Sequence, residues 1–393
     1  MQSIFNSPNP ILFGTGTVKQ LGDKLKELGC SNVLLVYDQG IKNAGIADRV
    51  AAVIEGAGLK TVRFEDVQAD PPDWSVEQAG KLGKDNGIDG VVGLGGGSSM
   101  DTAKGAKLLQ TNPPPLRQYF GRTGIVTKPS VPLIVIPTTA GTGSECTPGG
   151  TITDSEQNIK TNIAGVGCQV TLGIVDPELT AALPPSVTAS TGLDALCHCV
   201  ESFTSNLANS FSEVVGRRGI ELVAKYLVRA VEDGSDMEAR EGMSLAAILG
   251  GMAMSGALCH LAHDIGRALA AYHIPHGTAC ASCLPQVLQA IAPAKPEQLK
   301  FYVEQFGRIV PEGATPEEIG AMAYEETHRL IKRVKLPNLR SFGLTKQQVL
   351  DVAPAGVVRQ SEGMIKSFGA TTSPIPVTLE LVADICSRAY DEN

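Results

Sequence analysis

The sequence predicts an α/β domain built on a parallel sheet, followed by an all-helical domain. Three observations carry this. The 393 residues exceed what one hydrophobic core usually serves. From Asn32 to roughly Asp176, short β-branched runs alternate with helical patterns, the mark of a parallel sheet covered by helices. Beyond Pro184, Ala, Leu, Glu and Met recur at helical period and β-branched runs nearly vanish. The boundary is expected within residues 180–185, dividing the chain into 1–183 and 184–393.

SNVLLVYD (31–38) is the first buried strand and leads to a helix near Gly45 to Ala57. KTVRFEDV (60–67) and DGVVGLGGG (89–97) continue the alternation. VPLIVIPTT (131–139) lacks polar alternation and so reads as a strand covered on both faces; VTLGIVDPEL (170–179) repeats the style. In the later half, PAKPEQ (293–298), VPEGATPEE (310–318) and VKLPNLRSFGLT (334–345) break the helical pattern. The stretch from Met243 to Leu261 comes nearest to a membrane span, but it is rich in Gly, Ala and Ser and runs into His260 and His263, which favours a buried helix.

Hydrophobic residues at 43% and charged residues at 19% supply ample core and exclude disorder. A formal net charge of -8, aromatic residues at 5% and no basic stripe exclude nucleic acid and anionic membrane surfaces as partners. The N-terminal MQSIFNSPNPILFG has neither a basic stretch nor a continuous apolar run and does not resemble a secretory signal. Nine cysteines without a disulfide framework suit a reducing cytoplasm, and the lone C-x-x-C of Cys280 and Cys283 reads as two buried thiols.

Gly95, Gly96 and Gly97, with Ser98, lie between a strand and a strong helix former. Glycines there let the backbone approach a pyrophosphate, and the helix N-terminus favours its charge. Such turns also connect strand to helix without binding anything, and GLGGGSS lacks the G-x-G-x-x-G spacing. A second polar turn containing Thr138, Thr139 and Thr142 leaves the next buried strand, where α/β sheets place ligands. Asp38, after the first strand, is placed to accept hydrogen bonds from an adenosine ribose and to repel a 2′-phosphate, which favours NAD over NADP; a helix cap is the alternative.

In the later half, Asp194 and His198 stand four apart, on one helical face, where both can point at one ion. His260, His263, His273 and His276 follow, so that five of six histidines lie in these two regions. Imidazole with carboxylate and no thiolate suits Fe2+ or Zn2+ in a site other than a structural zinc knot, while Cys197, Cys199 and Cys259 read as small packing residues. Satisfied core or surface histidines remain the alternative.

GGGSSMDTAKG (95–105), IPTTAGTGSE (136–145), VDPELT (175–180), TGLDALCHCVE (191–201) and IPHG (274–277), in that order, resemble the iron-dependent, group III, alcohol dehydrogenase family. The similarity covers most of the chain and is clearest from about residue 90 to 285. It implies a Rossmann-like nucleotide domain, an all-α domain and an active site in the cleft between them, the fold shared with dehydroquinate synthase. It also implies hydride transfer between NAD (or NADP) and a small alcohol, aldehyde or ketone, with Fe2+ (or Zn2+) held by Asp194, His198, His263 and His276. His260 is the alternative to His263. The nucleotide is expected on the glycine loop and the TTAGTGS turn, with Asp101 and Lys160 as further candidate contacts, and the enzyme is expected to be a homodimer or larger homo-oligomer.

Two departures from the family pattern stand out. Its helical H-x-x-x-H reaches Arg267 here, so His273 is the substitute expected in proton relay. QADPP (68–72) lacks the family's Asn before proline, and Asp70 is the residue left to order that turn. Maleylacetate reductase, hydroxyacid-oxoacid transhydrogenase and an inactive nucleotide-binding homologue are the competing functions.

Overall fold

In a computed structural model, residues 9–121, 128–362 and 371–392 are described. The chain divides into two compact units, Ser7–Ala182 and Leu183–Asn393.

The first unit carries β1 (Ile11–Phe13), β2 (Asn32–Val36), β3 (Lys60–Phe64), β4 (Gly90–Gly95), β5 (Leu133–Pro137), β6 (Gly149–Asp154), β7 (Ile159–Ala164) and β8 (Leu172–Val175). Its helices are α1 (Leu21–Glu27), α2 (Gln39–Asn43), α3 (Ile46–Gly56), α4 (Asp73–Asp85) and α5 (Gly97–Thr111). Six strands form one parallel sheet in the order β1-β8-β5-β4-β2-β3, and β6 and β7 form a separate antiparallel pair.

The continuous apolar strands follow from burial on both faces. On β2, Val33 and Leu35 join the core beneath α1 and α3, whereas Leu34 and Val36 join the core beneath α4 and α5. The helices change face between β2 and β4, so the C-terminal ends of those two strands, at Asp38 and Gly95, form the switch point where open α/β sheets bind ligands. The strands expected from the β-branched runs are present. The hairpin of β6 and β7 and the short β1 were not expected, because neither has a long apolar run: β6 alternates buried and half-exposed positions, and β1 has three residues.

The described part of the second unit is helical, with α6 (Pro185–Thr204), α7 (Ser210–Glu232), α8 (Met237–Ala257), α9 (Leu261–Leu269), α10 (His276–Ile291), α11 (Pro296–Gln305), α12 (Pro316–Arg333), α13 (Lys346–Glu362) and α14 (Leu379–Glu392). Local chemistry sets their starts. Asn209 and Ser212 form a capping box on α7, and Thr315 and Glu318 form another on α12 behind Pro316. The apolar stretch from Met243 is broken at Leu258, whose φ of 59° ends α8, and α9 leaves at 103°. Among the described residues no single helix is long and apolar enough to cross a membrane.

Candidate active site

Asp194, His198 and Glu201 recur at i, i+4 and i+7 on one face of α6. Asp194 Oδ1 stands 4.0 Å from His198 Nε2 and 3.7 Å from His263 Nε2. The rings of His198 and His263 lie 4.5 Å apart between centroids, and those of His263 and His276 lie 5.4 Å apart. His276 is the first residue of α10, and the glycine of IPHG explains how it arrives. A Cβ on Gly277 would come within 2.2 Å of the Ser190 carbonyl oxygen and 2.9 Å of Asp194 Cβ, so only glycine lets α10 begin against α6.

Glu201 is the residue that sequence reasoning passed over. Its carboxylate is fully buried and accepts from the backbone N–H of Ala262 at 2.7 Å and of His263 at 3.3 Å, which caps the first turn of α9. It also pairs with His263 Nδ1. An imidazole that donates from Nδ1 presents the Nε2 lone pair, so Glu201 fixes the tautomer that faces Asp194. The available signal was the spacing: the glutamate of TGLDALCHCVE falls on the same helical face as the two candidate ligands.

Burial dominates the electrostatics. It pushes the His263 imidazole down to about 4, against the pull of Asp194 and with help from Arg267, so that the ring is neutral at pH 7. It also raises the Glu201 carboxyl, opposed by His260 and by the N–H of Ala262 and His263. Asp194 Oδ1 and His263 Nε2 are buried with no hydrogen-bond partner among the described residues. Two such atoms facing each other are costly unless something electropositive sits between them, and a divalent cation fits that donor set.

His260 does not join the cluster. Its Nε2 lies 2.9 Å from Thr204 Oγ1 and its Nδ1 lies 3.2 Å from Glu201 Oε1 in a fully buried pocket, whereas His263 shares space with Asp194 and His276. His273 is exposed, in a left-handed conformation with φ 55°. All nine cysteines are buried and none is in a disulfide. Cys259 groups with His198 and His263, and Cys280 with Asp194, His263 and His276.

The other candidates lie in the first unit. Gly95 has φ +144°, and a Cβ there would meet Ser99 Oγ at 2.5 Å. Gly96 and Gly97 face Thr139 and Thr142, with an added Cβ at 3.5 and 3.0 Å, so the two polar turns line one another at the ends of β4 and β5. The N–H of Thr138 donates to Gly95 O at 3.0 Å. Asp38 caps α2 through Ile41 N at 3.0 Å and accepts from Ser99 Oγ at 3.1 Å, tying the end of β2 to the glycine loop.

Asp101 and Lys160 are engaged by the protein itself. Asp101 accepts from Ser144 Oγ at 2.7 Å and Thr151 N at 2.9 Å. Lys160 Nζ pairs with Asp70 at 2.7 Å, and Asp70 N donates to Ser98 Oγ at 3.2 Å, which brings Lys160, Asp70 and Ser98 together. Lys104 was also missed from sequence. Fully buried, it donates to Ser144 O and Oγ, Thr147 Oγ1 and Gly149 O at 2.6–2.9 Å, fastening the second polar turn and β6 to α5.

Residues 8–177 match the family model described as "Iron-containing alcohol dehydrogenase", and residues 188–390 match "Fe-containing alcohol dehydrogenase family, C-terminal". The choline dehydrogenase of Bacillus subtilis (strain 168) is 36% identical over 350 residues, 88% of this chain and 86% of that protein. A 1,3-propanediol oxidoreductase structure superposes with a TM-score of 0.91 at 30% identity, covering 99% of this chain and 100% of the other. The sulfoacetaldehyde reductase of Bifidobacterium kashiwanohense, solved in complex with NAD+, gives a TM-score of 0.85 at 28% identity over 100% of both chains.

Proposed function

Because the chain belongs to the iron-containing alcohol dehydrogenase family, we propose that it interconverts a small alcohol and its aldehyde or ketone, exchanging hydride with NAD at a centre held by Asp194, His198, His263 and His276. The observation that carries the reading is the facing pair of buried, unpartnered atoms, Asp194 Oδ1 and His263 Nε2, beside His198 and His276. A divalent cation bound there supplies Lewis-acid polarisation of the substrate oxygen. Fe2+ is the ion the family's name points to, and the same neutral imidazoles and carboxylate suit Zn2+.

The protein's own residues do the rest. Glu201 keeps His263 in the tautomer that offers Nε2, and burial keeps that ring neutral. Gly95, Gly96, Gly97, Ser98, Thr138, Thr139 and Thr142 form the cradle in which the backbone approaches a pyrophosphate. NAD is preferred to NADP because the Asp38 carboxylate stands at the end of β2 beside that cradle and repels a 2′-phosphate, and the related sulfoacetaldehyde reductase was crystallised with NAD+. Asp101 supports the cradle through Ser144 and Thr151, and Lys160 through Asp70 and Ser98, while exposed His273 is the candidate for handing the alcohol proton to solvent. A homo-oligomer in a reducing cytoplasm completes the reading, supported by nine cysteines outside any disulfide for the compartment and checked by light scattering for the assembly.

Asp194→Ala tests the whole. It is expected to lose bound metal, read by elemental analysis, and NAD-linked oxidation of short alcohols, while the protein still folds and binds NADH. Full metal content in the variant would overturn the assignment.

A further inference from the structure

Two side chains beyond the four of the proposed centre group with its residues, Cys259 and Cys280, and Cys280 is the one that joins Asp194. Cys280 lies one helical turn after His276, on the same face of α10, and is fully buried. Its Sγ stands 3.8 and 3.7 Å from the two ring nitrogens of His276. Space for it comes from α9, where a Cβ on Gly266 would come within 2.4 Å of that sulfur. One ligand atom from each of Asp194, His263, His276 and Cys280 lies within 4.8 Å of the others, and this group includes the two residues, Asp194 and His263, whose Oδ1 and Nε2 are buried without a hydrogen-bond partner among the described residues. His198 groups instead with Cys259 and His263.

We propose that Cys280 is a ligand for a thiophilic divalent cation, completing a second coordination set of Asp194, His263, His276 and Cys280. The inference rests on the metal-centre reading above and shares three residues with it. On binding, the S–H bond breaks, the proton leaves to solvent and a sulfur–metal bond forms, with no change of oxidation state. Thiolate is a soft donor, so this set favours zinc-like ions over harder ones, and its composition of one carboxylate, two imidazoles and one thiolate fills a tetrahedral shell. The chain thereby carries two modes at one place: a harder ion on Asp194 and three histidines, and a softer ion drawn toward Cys280.

The test is Co2+ titration of the metal-stripped, full-length protein. Visible d–d bands report that cobalt is bound, and a near-ultraviolet band reports a thiolate ligand. Both are expected to rise together in the wild type. Cys280→Ser and Cys280→Ala should keep the visible bands and lose the near-ultraviolet one to baseline, whereas Cys259→Ser should retain it. Circular dichroism checks that each variant is folded. Visible bands without the near-ultraviolet band in the wild type would overturn the proposal and leave the metal centre standing. Loss of the band in Cys259→Ser, with retention in Cys280→Ser, would also overturn it. Failure of the wild type to bind cobalt at all would remove the metal reading and this inference together.

Discussion

Glu201 does two jobs with one buried carboxylate: it ends the unsatisfied N–H groups of α9 and it orients His263. Outer-sphere partners of this kind typically tune metal affinity by about 10–100-fold. Glu201→Gln keeps the volume and can still accept one N–H, so metal affinity measured by chelator competition is expected to fall within that range, with the fold intact. An unchanged affinity would mean that the His263 tautomer does not depend on this contact. His260 and His263 separate in the same assay. His263→Ala should lose the metal, whereas His260→Ala, which removes a ring bonded to Thr204, should retain it and lower the melting temperature instead.

At the scale of elements, the loop from β4 to α5 and the turn after β5 are held by different means. Gly95 provides backbone room: its φ of +144° and the 2.5 Å approach to Ser99 Oγ make Gly95→Ala both strained and obstructive. Strain of this kind costs about 1–3 kcal/mol, and a fluorescence titration should show weaker NADH binding together with a lower denaturation midpoint. The second turn depends on Lys104, whose ammonium gathers acceptors at Ser144, Thr147 and Gly149 along the run from that turn into β6. Lys104→Met leaves those acceptors and Asp101 uncompensated, and by analogy with broken buried pairs it should cost about 3–5 kcal/mol in urea unfolding. A change well under about 1 kcal/mol would show that water replaces the ammonium there.

For the molecule as a whole, the buried imidazole of His263 links stability to pH. Its value falls from an ordinary 6.5 to about 4 on folding, so between these limits the unfolded chain takes up a proton that the native protein does not. Stability of the chelator-treated protein should therefore decline as pH is lowered from about 6.5 to about 4 and stop declining on this account below that. Comparing the melting temperature of wild type with that of His263→Gln isolates the effect, and a wild-type slope no steeper than the variant's would contradict it. Adding metal should raise the melting temperature at pH 7 by mass action, because only the folded chain would assemble the proposed ligand set.

The sequence by itself determined the alternation of strands and helices, the change to helix after Pro184, the two polar turns and the position of the candidate ligands. These are local signals: hydrophobic period, Gly placement and i, i+4 spacing act over a few residues. The hairpin of β6 and β7 was not legible, because half-exposed strands lack a continuous apolar run. Nor could spacing choose between His260 and His263, which lie within one turn of each other. Where each ring points is tertiary. Leu258 bends the chain, Glu201 caps α9 from α6, and Gly277 admits α10 against Asp194, so one ring turns into the cluster and the other toward Thr204. Cys280 was legible only as a buried thiol, since its nearness to Asp194 depends on α10 packing against the distant α6, and its nearness to His263 on α9 meeting α10 without a side chain at Gly266.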